Sequence, residues 1–130
     1  MPVPDERRTY TPRQFALRLV LGAAAVVCAA AAGWMHLRAE DLTTTLLFVA
    51  GTSFAFAALV RGWGALGGVL IGLGVPLARL YAALAGISPD AVAAHATRGY
   101  YPMAAALGGI VVGLAARTGA EQARQRRRRR

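Results

Sequence analysis

The sequence predicts an all-α integral membrane protein of four transmembrane helices, with both chain ends inside and a short interfacial helix between helices three and four. Three observations carry this. The 130 residues are 56% hydrophobic, with 15 glycines besides, which lies above the usual soluble range. The charges are segregated, so that long runs hold none while the ends and links hold many. The arginines also fall mostly on one side of those runs, which fixes how the chain is threaded.

Residues 1–14, MPVPDERRTYTPRQ, form a polar N-terminal tail with three prolines and Arg7, Arg8 and Arg13. The transmembrane domain follows over 15–117, with helices expected at about 15–37, 42–60, 63–87 and 100–116, and a basic C-terminal tail over 118–130. In the first run no charge lies between Leu19 and Met35. Its arginine-bearing start and alanine-rich end also suit a secretory signal. The length of the run and its sequel Trp34-Met35-His36 favour a retained helix instead.

Asp41 is an expected N-cap for the second run, followed by Thr43, Thr44 and Thr45 in the first turn. Leu42 to Val60 holds nineteen residues without a charge, about 28 Å of helix, close to the hydrocarbon thickness. Arg61-Gly62 makes so short a turn that helices two and three must be antiparallel neighbours. The third run, Trp63 to Ile87, carries Pro76, which should kink it, and the only arginine deep in an apolar run, Arg79. Ser88-Pro89-Asp90 reads as a helix start and Arg98-Gly99 as a stop, the expected interfacial helix. The fourth run, Tyr100 to Ala116, is at the short end of what can span.

With both ends inside, the inner side holds Arg7, Arg8, Arg13, Arg18, Arg61, Arg117, Arg124 and Arg126 to Arg130, against Arg38 and Arg98 outside. Trp34, Tyr100 and Tyr101 then mark the outer interface and Trp63 the inner one. This points to a bacterial-type cytoplasmic membrane with both termini in the cytoplasm.

Small residues recur at four-residue spacing: Gly64, Gly68 and Gly72 in helix three, Ala105, Gly109 and Gly113 in helix four, and Ala25, Ala29 and Gly33 in helix one. Helices already in lipid gain little from burial, and small residues in register let their backbones approach. These positions are the expected packing or partner contacts. Arg79 is the expected lipid or anion contact, either snorkelling outward or pairing with Glu40, Asp41 or Asp90. Arg126, Arg127, Arg128, Arg129 and Arg130 are the expected membrane-surface contact.

All six acids lie in tails or loops, which leaves no residue for a proton- or cation-coupled relay. That sets the chain apart from the small four-helix multidrug exporters, which need a membrane glutamate. The lone Cys28, and His36 and His95 without a third ligand, give no metal pattern. No Ser/His/Asp set can be assembled, so no enzyme and no cofactor are expected. The arginine tail comes with no aromatic platform, which argues against nucleic acid. The expected partners are membrane lipids and a larger membrane complex or homo-oligomer. The expected function is that of a structural or accessory subunit, with a small transporter or holin-like pore former as the alternative.

Overall fold

In the computed structural model, residues 12–38, 42–87 and 100–128 are described. They form four helices: α1 (Pro12–Arg38), α2 (Leu42–Leu59), α3 (Gly64–Leu84) and α4 (Tyr101–Arg128). All four are long and apolar enough to cross a membrane. The expected interfacial helix and the Asp41 cap lie outside the described residues.

The distribution of side-chain size is the reverse of a soluble core. Buried positions in α1 are Ala25, Ala29, Ala32 and Gly33, while Phe15, Leu19 and Val27 point outward. Leu59 and Leu84 are each more than four-fifths exposed. In water such a surface would aggregate, whereas in lipid it is solvated and small residues are what helices bury between them.

The turn from α2 to α3 is made by Gly62 at φ +82°, a left-handed conformation that costs a residue with a side chain about 1 kcal/mol or more. The far end of α3 closes with a Schellman motif. Gly86 takes φ +67°, its N–H donates to the Ala83 carbonyl, and the Ile87 N–H donates to that of Ala82. The third helix therefore stops at Leu84, short of the Ile87 boundary read from hydropathy. It runs without a break across Pro76.

Contacts between helices fix their directions. Phe56 meets Gly64 and Gly67 while Ser53 meets Gly68, so α2 and α3 are antiparallel. Gly68 meets Ile110 and Gly72 meets Ala106, so α3 and α4 are antiparallel too. Ala29 meets Gly74 and Gly33 meets Ala78, so α1 runs parallel to α3. The start of α1 and the end of α4 thus lie at the same end of the bundle. α1 packs chiefly along α3, and α4 packs against both α2 and α3.

α4 differs most from the sequence reading. Its 28 residues make about 42 Å of helix, some 12 Å more than a ~30 Å hydrocarbon core. The last turns project from the bundle as a continuous helix through Arg128. Ala120, Glu121, Gln122, Ala123 and Arg124 are strong helix formers, and Arg117 pairs with Glu121 at 3.2 Å one turn on.

Candidate functional site: small-residue helix contacts and the Arg79 pair

α3 is the element on which the other helices converge, and glycine makes this possible on two of its faces. Gly64, Gly68 and Gly72 are buried on the face turned toward α2 and α4. A Cβ at Gly64 would strike the Phe56 carbonyl, and one at Gly68 would stand 2.6 Å from Ile110 Cγ1. One at Gly72 would stand 2.6 Å from Ala106 Cβ. On α4, Gly109 abuts the Ala50 carbonyl, and Gly113 would place a Cβ 2.7 Å from that of Phe54. Ala105, beside them, is half-buried. The five glycines are therefore inside the single chain, in contacts among α2, α3 and α4.

The spacing argument missed the contact on the other face. Gly74 is buried against α1, where an added Cβ would strike the Ala29 carbonyl and lie 2.7 Å from its carbon and 2.8 Å from Ala29 Cα. Gly33 completes the contact, with Ala78 Cβ 2.6 Å and the Gly74 carbonyl 2.8 Å from where its own Cβ would be. Gly74 stands two residues after Gly72, about 200° around the helix. A glycine out of phase with the four-residue series was the available signal.

Among the described residues, two polar side chains are fully buried, both on α2. Ser53 Oγ donates to the Gly68 carbonyl at 3.2 Å and ties α2 to α3. Thr45 Oγ1 is buried with no hydrogen-bond partner among the described residues. A hydrophobic cluster of Ala32, Val49, Ile71, Val75 and Ala106 fills the centre, with Cys28, Phe48 and Phe56 packed against it.

Arg79 is half-buried and its Nε donates to His36 Nε2 at 3.0 Å, which assigns that ring nitrogen as an acceptor. A histidine from α1, one turn beyond the Gly33–Ala78 contact, is thus a partner of Arg79. The acids at Glu40, Asp41 and Asp90 lie outside the described residues. Nearby on α1, the Arg38 guanidinium stacks 4.3 Å from the centre of the Trp34 ring, a cation–π pair suited to an interface. At the opposite end Arg18 lies 5.8 Å from the Trp63 ring centre. Of the C-terminal arginines, Arg126, Arg127 and Arg128 occupy the last turn of α4 and are exposed. Arg129 and Arg130 lie outside the described residues.

Among the described residues, no group of three His, Cys, Asp or Glu side chains comes together. No protein-family model, characterised protein or solved structure matches the chain, so what it does is argued from its geometry.

Proposed function

We propose that the protein is a structural or accessory subunit of a larger membrane assembly, without catalytic activity of its own. One observation carries this reading: two glycines on neighbouring helices, Gly51 of α2 and Gly108 of α4, face outward on the same side of the bundle. Nothing lies within 4 Å of where a Cβ would be on Gly51 or Gly108. Gly51 is two residues from Ser53, which faces α3, and Gly108 is two residues from both Ala106 and Ile110, which do the same. Two residues is about 200° of helix, so both glycines sit on the side of the α2–α4 seam away from α3. Against lipid a glycine gains nothing over leucine, but it lets a partner helix bring its backbone close.

The reading places the chain in a bacterial-type cytoplasmic membrane with both termini in the cytoplasm, on the strength of the arginine bias. A cysteine replacing Gln122, on a Cys28→Ser background, should then be labelled only from the cytoplasmic side. Partner docking is tested by mild detergent extraction from native membranes, native-gel separation and mass spectrometry of the band. The protein should migrate with a much larger complex, and Gly51→Leu or Gly108→Leu should release it while the helical content is unchanged. A protein that runs alone refutes the reading. If that species also passes dye or ions across vesicles, the transporter or pore class takes its place.

A further inference from the structure

We propose that the gap between α1 and the α2–α3 hairpin, at the Arg18 and Arg61 end of the bundle, is a binding groove for one anionic diacyl phospholipid. α1 and α3 touch closely from Ala25 outward, where Ala29 and Gly33 meet Gly74 and Ala78. Toward the other end they part. No position of α1 from 12 to 24 is buried, and an open groove of about 1320 Å³ lies between the helices.

Depth decides the occupant. On α1 the groove runs from Gln14 to Ala25, a rise of about 16 Å. On α3 it runs from Trp63 to Leu70, about 10 Å. One leaflet of a ~30 Å hydrocarbon core is about 15 Å deep. The groove is therefore one leaflet deep and closed at its inner end by the backbone contact of Ala29 on Gly74. A spanning helix, from a second copy or another subunit, needs a channel twice that length. A lipid does not.

Chemistry decides the class of lipid. The walls are apolar, with Phe15, Leu19, Leu66 and Leu70 available to acyl chains. Gly22 widens the groove, since nothing lies within 4 Å of its missing Cβ. At the mouth stand two guanidinium groups, Arg18 and Arg61, together with Trp63, whose ring centre lies 5.8 Å from the Arg18 guanidinium. No carboxylate lines the groove among the described residues. Guanidinium pairs bind phosphate oxygens in bidentate fashion, and a tryptophan at headgroup level anchors the interface. The inference holds whichever side of the membrane this end faces, and it does not depend on the accessory-subunit reading.

The test is native mass spectrometry of the full-length protein released from nanodiscs of equal phosphatidylglycerol and phosphatidylcholine. Four proteins are compared: wild type, Arg18→Gln/Arg61→Gln, Gly22→Leu, and a form with glutamine in place of Arg126 to Arg130. Wild type should retain one phosphatidylglycerol in preference to phosphatidylcholine. Each arginine near an anionic headgroup is expected to contribute about fivefold to that preference, so the double variant should lose most of it. Gly22→Leu, at a site with room for its side chain, should lower retention of the lipid itself, and the tail variant should keep it. Retention in both groove variants overturns the proposal, as does loss confined to the tail variant. Displacement by millimolar inorganic phosphate also overturns it, by reducing the site to an anion patch. So does a peptide or second copy of the chain held where the lipid should be.

Discussion

Gly74→Ala isolates a close backbone contact between α1 and α3. The added carbon would lie 2.7 Å from the Ala29 carbonyl carbon and 2.8 Å from Ala29 Cα, against an optimal carbon separation of about 3.5–4.0 Å. The obstacle is backbone, so no rotamer change relieves it, and α1 and α3 must part by about 1 Å. A gap of that size forfeits a quarter to a half of each dispersion contact it affects, and forced overpacking costs about 1–3 kcal/mol. Alanine's better helix propensity offsets about 1 kcal/mol, which leaves a net loss of up to about 2 kcal/mol. Gly108→Ala is the matched control, the same chemical change where nothing lies within 4 Å. It should be neutral or stabilising by up to about 1 kcal/mol. Unfolding in mixed micelles with increasing dodecyl sulfate, followed by circular dichroism, reads both. If the two variants shift stability with the same sign, backbone approach at Gly74 does not hold α1 to α3.

Two buried hydroxyls on one helix face should respond in opposite directions. Ser53→Ala removes the hydrogen bond to the Gly68 carbonyl and should cost about 0.6 kcal/mol, at most about 1.7. Thr45→Val replaces an unpaired buried hydroxyl with a methyl group of the same shape and should be neutral or stabilising by about 1 kcal/mol. A clear loss of stability in the valine variant in the same unfolding assay would show that Thr45 has a partner after all. For Arg79 and His36, a double-mutant cycle with Arg79→Ala and His36→Ala should give a coupling of about 0.5–1.5 kcal/mol. Strict additivity would mean that the 3.0 Å contact contributes nothing.

Much of the fold is legible in the sequence because the bilayer imposes a length and a charge rule on any helix that crosses it. The runs from Leu42 and from Trp63 declare themselves by lacking charge, and Arg61-Gly62 leaves no room for anything but a tight turn. Boundaries were less legible. The stop at Leu84 is decided by the left-handed Gly86, whereas hydropathy continues to Ile87. The continuation of α4 to Arg128 rests on helix-forming residues, Ala120 to Arg124, that a hydropathy reading passes over as tail.

The sequence by itself determined that four runs are long and apolar enough to cross a membrane, and that the arginines gather at one end. Only the tertiary structure decided which small residues meet which helix. It put Gly64, Gly68 and Gly72 against α2 and α4, and Gly74 against α1. It also left Gly51 and Gly108 facing outward, joined Arg79 to His36, and opened a groove where α1 leaves α3. The reason is physical. In water a contrast between polar and apolar positions marks the inward face of a helix. In lipid both faces are apolar, and a glycine suits a close contact with any helix that reaches it. With 15 glycines in the chain, pairing is settled by how the backbones fit together, and that fit exists only once the helices are assembled.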